Sequence, residues 1–277
     1  MKNTIPMAAM VAAGLVLAAP TARAAYTLVD DFESYTVGAL GSGGSDAWIN
    51  NGGPWYVNGS SSGTSYVQIQ NDGDNYLAIS DGFSGIRAAD RTAPTIADGG
   101  VGTYYFQILS TSSGNDDRWG ITQFAAGSGL SNPGYGEAWV SLRDDGVGGL
   151  KLVGENGAGS TLDLATGLSL NAWYDIWLVA DNAADTYDVY LGTSGDANTL
   201  GTKVGNDLNF RHGIGVAGQG GVGDLVTFWS LDNGDPANTA QSGHVDNIYF
   251  NPVAVPEPSA ALLGGLGLLG LLRRRRA

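Results

Sequence analysis

The stretch "WYDIWLVADNAADTYDVYL", residues 173–191, decides the fold, because it alternates with period two on both sides of a polar centre. In an extended chain successive side chains point to opposite faces. Tyr174, Ile176, Leu178 and Ala180 therefore share one face, and Tyr187, Val189 and Leu191 share the matching face of a returning strand. Cross-strand neighbours must lie on the same face, since a slip of one residue inverts every side chain. That condition predicts Leu178 opposite Val189, Trp177 opposite Tyr190 on the other face, and a loop of Asn182, Ala183, Ala184 and Asp185. The segment is an antiparallel hairpin with one apolar and one aromatic face.

The same period recurs outward from it. "SYVQIQ" (65–70), "NYLAIS" (75–80), "TYYFQIL" (103–109), "EAWVSLR" (137–143), "LKLVGE" (150–155), "LVTFWSL" (225–231) and "HVDNIYF" (244–250) all read as strands. Turn signals such as "NDGDN", "RDDG" and "LDNGDP" separate many of them. Gly occurs 44 times and Asp outnumbers Glu by 23 to 4, a balance that suits turns rather than helices. The expectation is an all-β protein, a two-sheet antiparallel jelly-roll sandwich of roughly a dozen strands. The segment 41–63 is low in complexity, yet it contains Trp48, Trp55 and Tyr56, and it reads as a long ordered loop.

Both ends of the 277-residue chain differ from this body. Met1-Lys2-Asn3, an apolar run from Met7 to Ala19 and the small-x-small triplet Ala22-Arg23-Ala24 read as a secretory signal helix, cut after Ala24 by signal peptidase. At the other end Ser259 to Leu272 is free of charge, short for a membrane span, and followed by Arg273, Arg274, Arg275 and Arg276. Such arginines hold a segment on the cytoplasmic side. The expected division is a signal peptide at 1–24, a single jelly-roll domain at 25–252, and a sorting and anchoring segment with an apolar helix at 253–277.

Between residues 25 and 252 there are seven basic and 26 acidic side chains. A charge of that sign repels phosphate backbones and excludes nucleic acid as an expected partner. With no cysteine, the exported fold has no disulfide, thiolate metal site or thiol nucleophile to call on.

Two resemblances follow from these residues. "LVDDFESYTVGAL" (28–40), "HVDNIYFNP" (244–252) and the 173–191 hairpin resemble the first, last and central strands of concanavalin A-like, or laminin-G-like, jelly-roll domains. The resemblance implies a β-sandwich whose concave face often meets polysaccharide, and a structural calcium ion held by Glu33 and Asp246 with Asp31 as helper. A hard cation takes six to eight oxygen ligands, which carboxylates of that kind supply. The tail, Val255-Pro256-Glu257-Pro258-Ser259 followed by an apolar run and four arginines, resembles the PEP-CTERM sorting signal. That implies a Gram-negative bacterium, processing near Pro256-Glu257-Pro258 by an exosortase, transient anchoring in the inner membrane, and delivery to the cell surface, outer membrane or extracellular matrix of a biofilm.

Catalytic equipment is not evident. The body has three Glu (Glu33, Glu137 and Glu155) and lacks the Glu-x-Asp strand motif that concanavalin-like glycosidases use to aim paired carboxylates. Arg211 beside His212 resembles a fragment of a polysaccharide lyase site, useful only if the two lie in a loop. The expectation is a carbohydrate-binding module. A pyranose stacks its C–H face on an aromatic ring, and Trp177 with Tyr190, then Trp139 with Arg143 on one strand face, are the candidates. A polysaccharide-cutting enzyme and a purely structural surface protein are the alternatives.

Overall fold

The structure is a computed structural model that describes residues 25–39, 49–50, 54–58, 67–80, 87–113, 116–128, 136–232 and 241–253. The signal helix, Ala22 and Ala24 included, lies outside the described residues, as do Trp48, most of the 41–63 segment and the tail from Val255 to Arg276.

Among the described residues the chain runs through seventeen strands. They are β1 (Thr27–Asp30), β2 (Gly38–Ala39), β3 (Ile49–Asn50), β4 (Trp55–Asn58), β5 (Val67–Asn71), β6 (Asn75–Ser80), β7 (Arg87–Ile96), β8 (Val101–Ser110) and β9 (Asp117–Thr122). Then come β10 (Ala138–Asp144), β11 (Leu150–Glu155), β12 (Thr161–Leu168), β13 (Tyr174–Asp181), β14 (Thr186–Gly192), β15 (Thr202–Asn209), β16 (Leu225–Asp232) and β17 (Gln241–Asn251). One sheet, sheet A, has the order β15-β14-β13-β8-β17-β6-β5-β2, with β1 added along β17. The other, sheet B, has the order β12-β11-β10-β9-β16-β7-β4-β3. Every pair is antiparallel, and the strand order crosses repeatedly between sheets, which makes a jelly-roll sandwich.

The hairpin has the expected register: Leu178 faces Val189, Trp177 faces Tyr190, and Asp181 paired with Thr186 leaves a loop of four. Tyr174, Ile176, Leu178, Ala180, Tyr187 and Val189 enter the core between the sheets, where they meet Phe106, Phe228, Trp119 and Leu152. The terminal strands also pair, Leu28 with Tyr249 and Asp30 with Ile248.

Four longer strands carry no clean alternation and escape a reading by period: β7, β9, β12 and β15. Pro94 sits in β7 and two glycines interrupt β12 and β15, residues that weaken a strand signal. Sheet pairing on one or both sides supplies what their side chains do not. In the 41–63 segment, β3 and β4 form a short hairpin, with Ile49 opposite Val57. Trp55 is buried and donates its indole N–H to Asp30 at 2.8 Å. The same carboxylate accepts the Phe32 amide at 2.9 Å and Tyr35 hydroxyl at 3.0 Å, and pairs with Arg91. Asp30 thus ties the first strand to sheet B, and Phe32 holds a left-handed φ of 58° to turn the chain there.

Candidate functional site

The residues expected to stack sugar lie where the period puts them but are not open to a ligand. Trp177 is 0% exposed and Tyr190 4%, and with Tyr105 and Val179 they form a second apolar cluster on the outer face of sheet A. The loop between β14 and β15 covers it: Ala197 accepts the Trp177 indole N–H at 2.9 Å, and Ala197 and Leu200 pack on the cluster. Trp139 is buried as well, on the outer face of sheet B beside Trp229 and Leu231. Arg118 lies 4.4 Å and Arg143 5.7 Å from its ring centroid, and Asp116 holds both guanidinium groups. Trp139 and Arg143 do share a face, as expected, but as a closed stack. Alternation assigns a face, and loops decide whether that face sees water.

An open cavity lies next to the buried Trp177. Its volume is about 360 Å³, within the range of small-molecule sites, and Tyr26, Tyr105, Tyr249, Asp196, Asn198 and Asn247 line it. Tyr105 touches Trp177, ring centroids 5.1 Å apart, so the aromatic cluster forms the cavity floor. Tyr26 stands 6.4 Å from Tyr105 at 67°, and Tyr249 stands 5.9 Å from Tyr105 at 56°.

A bulge brings Tyr249 there. Along β17, Asp246 pairs with Gln107, but Tyr249 pairs with Tyr105, so three steps on one strand match two on the other. Asn247 absorbs the extra residue with a φ of 51°. The phase flips across it. Val245 and Ile248 both enter the core, and Tyr249 turns outward beside Tyr105. The sequence holds the signal, since the apolar positions of "HVDNIYF" are spaced by three and then two, but a plain strand reading passes over it.

The opposite wall is anchored by Asp175, which is buried. It accepts the Tyr105 hydroxyl at 2.9 Å, Gln107 Nε2 at 3.1 Å, the Gly195 amide at 2.9 Å and Ser194 Oγ at 3.2 Å. Two neutral donors and two loop donors fix one carboxylate, so the loop is held down on the sheet. Glycine is required at the loop's return: a Cβ at Gly201 would stand 2.2 Å from the Leu191 carbonyl oxygen. Gln107 in turn accepts Asn247 Nδ2 at 2.7 Å, linking both walls.

Carboxylates gather around Asp246, beside the bulge in β17. Burial raises the Asp246 carboxyl to about 8, and Asp74, Glu33 and Asp31 push in the same direction against the Asn247 amide that accepts no charge but donates to it. Glu33 and Asp74 share a hydrogen bond that lowers the Glu33 carboxyl and raises that of Asp74. Glu33 Oε1 also accepts the Asn75 amide at 2.7 Å. The three residues expected to hold calcium therefore act on one region. Their fit to an ion is incomplete: among the described residues, no three His, Cys, Asp or Glu side chains converge as a metal cluster.

One pairing brings together residues that the sequence left separate. Glu137, fully buried, accepts Gln123 Nε2 at 2.8 Å and lies 2.9 Å from His212 Nδ1. Arg211 follows the other way, with its guanidinium 3.4 Å from the buried Glu155. Both lie in the turn after β15, which lets adjacent residues act together. Glu155 is raised by burial, against the Gly159 amide and Arg211.

This is a two-sheet jelly roll with a partly aromatic cavity on one outer face. A solved sialidase chain matches with a TM-score of 0.52 and 12% identity over 83% of this chain, which spans 19% of the sialidase. The GH131 β-glucanase catalytic domain from Podospora anserina is 15% identical over 83% of this chain and 97% of its own, at a TM-score of 0.46. Lectin II from Ulex europaeus is 11% identical over 74% and 95%, at 0.42. Likeness at such identities is a likeness of fold alone. Residues 254–276 match the family model of the PEP-CTERM protein-sorting motif, so the C-terminus carries that export and sorting signal. No curated protein matches the chain.

Proposed function

We propose that this is an exported, exosortase-processed protein of the cell surface or extracellular matrix, whose jelly-roll body binds carbohydrate without cutting it. The observation that carries the binding half is the cavity whose partly exposed rings are Tyr26 and Tyr249, over the buried Tyr105, edged by Asp196, Asn198 and Asn247. Ring faces for C–H stacking beside short polar side chains for hydroxyls are the mix a glycan site needs. The sorting half rests on the tail, with Val255, Pro256, Glu257 and Pro258 as the recognition segment and Arg273 to Arg276 as the stop; the motif match over 254–276 supports it. The signal peptide at 1–24 and its cleavage after Ala24 belong to the same proposal. Calcium at Asp31, Glu33 and Asp246 does too, supported by the mutual repulsion of those carboxylates, which a divalent cation would relieve.

The test is a glycan array with the exported chain, followed by calorimetry on the best ligand. Tyr249→Ala is expected to weaken binding at least about tenfold while the fold stays intact, because its ring is half-exposed at the cavity wall. An unchanged affinity would move the site off this face. The enzymatic reading keeps one specific support, the contact between His212 and the buried Glu137. Release of reducing or unsaturated ends from a bound polysaccharide, lost in His212→Ala, would favour it over a binding module.

A further inference from the structure

We infer that the ligand of this face is a linear oligosaccharide of neutral sugars rather than a single sugar, and that Trp173 is its second stacking ring. This rests on the carbohydrate reading above and extends the same site along sheet A. The registers order the outer face into rows that cross the strands. Tyr249, Tyr105 and Trp177 form one row. Asp246, Gln107 and Asp175 form the next. His244 and Leu109 open a third, and Trp173 extends it, since it precedes the Tyr174–Ile108 pair by one residue. Tyr76 of β6 reaches that third row, stacked 4.8 Å from His244 and edge-on to Trp173 at 5.6 Å.

Two of these three rings are supports. His244 and Tyr76 are buried, and Tyr76 donates its hydroxyl to Gln70 at 3.2 Å. Burial lowers the His244 imidazole to about 4, so it stays neutral. Trp173 is held against both and remains partly exposed. An indole fixed in place with part of its surface in water is what a stacking subsite needs. Leu109 and the Tyr105 of the cavity are four residues apart on β8, so this subsite lies about 13 Å from the cavity. That span exceeds one pyranose, a ring no larger than that of tyrosine, and only a chain of sugars touches both ends. In the row between them Asp246 and Asp175 are buried and Gln107 is partly exposed. Gln107 Nε2 donates to Asp175 at 3.1 Å and Oε1 accepts Asn247, which leaves the second Nε2 hydrogen for a sugar hydroxyl. At the rim, Asp196 accepts the Asn198 backbone amide at 2.9 Å and the Thr199 hydroxyl at 3.0 Å from its own loop. The groups left to a ligand are rings and amides, which suit neutral hydroxyls.

The experiment is calorimetry of the exported chain with oligomers of one to six units in three series: β-1,4-linked glucose, β-1,3-linked glucose and β-1,4-linked N-acetylglucosamine. In at least one series affinity is expected to rise at least about tenfold once the oligomer is long enough to span both rings. Trp173→Ala is expected to remove that rise and leave the affinity of the shortest binding oligomer in place. Trp173→Leu, which fills more of the space without an aromatic face, is expected to do the same, and Trp173→Phe to keep most of the rise. Tyr249→Ala is expected to weaken every length. A merely structural Trp173 would move all lengths alike or none. Affinity independent of length, or a rise that survives Trp173→Ala and Trp173→Leu, overturns the inference while the carbohydrate reading stands. Binding by none of the three series overturns it too; a hit on the glycan array then keeps the carbohydrate reading, and a blank array removes both.

Discussion

The two outer faces of the sandwich carry similar aromatic material and end in opposite states. On sheet B, Trp139 and Trp229 lie side by side, and Arg118, Arg143 and Asp116 cap the first of them as a stacked, ion-paired lid. Gly136 is what permits the crowding there, because a Cβ on it would stand 2.1 Å from the Trp229 ring. On sheet A, the loop held by Asp175 closes over Trp177 but stops short of Tyr249, and a cavity remains. The lesson is that aromatic content on an outer face does not make a binding site. A gap in its cover does, and here the gap lies between one loop and one bulged strand.

That contrast is breakable by substitution. Trp177→Ala removes a fully buried indole and its hydrogen bond to Ala197, and is expected to cost about 3–5 kcal/mol of stability in denaturant melts. Tyr249→Ala, on the open side, is expected to cost less than about 2 kcal/mol while weakening binding at least about tenfold. A Trp177→Ala protein as stable as the parent, with only glycan binding lost, would mean that the ring is a contact surface after all.

A smaller effect tests the carboxylates beside the cavity. Asp246 holds its proton to about pH 8 in the fold, where an unfolded Asp releases it near about 4. Between those values the unfolded chain has lost the proton and the folded chain retains it, so stability falls as pH rises from about 4 to about 8. Asp246→Asn is expected to flatten that slope and gain on the order of 3 kcal/mol at the alkaline end, read from melts in chelator. An unchanged slope would show that Asp246 is not the group that carries the proton.

The smallest effect belongs to the capped face. Arg143→Ala leaves the pair between Asp116 and Arg118 in place, and a quarter of the Arg143 side chain is exposed, so a loss below about 1 kcal/mol is expected, with glycan affinity unchanged. A drop in affinity would reopen sheet B as a binding face.

Much of this was legible without coordinates. Period-two alternation gave the hairpin, its loop of four and the pairing of Trp177 with Tyr190, because those depend only on neighbours along and across one turn. It also placed Trp139 and Arg143 on a common face. Tyr249 was missed, since the bulge at Asn247 shifts the phase by one residue and a regular strand puts that ring in the core. Asp30 was passed over in favour of Asp31, because the partners that bury it, Trp55 and Arg91, arrive from strands 25 and 61 residues away. The contact between Glu137 and His212, 75 residues apart, lies beyond any local pattern for the same reason.

By itself the sequence determined the all-β class, the faces of the cleanly alternating strands and the sorting address written in the last residues, all of which are short-range patterns. Only the tertiary structure decided which aromatic rings a ligand can reach. Exposure is set by loops folding back from distant points of the chain, which leave no periodic trace where they cover a ring, and by a single inserted residue in β17, whose trace is one irregular spacing that only the register explains.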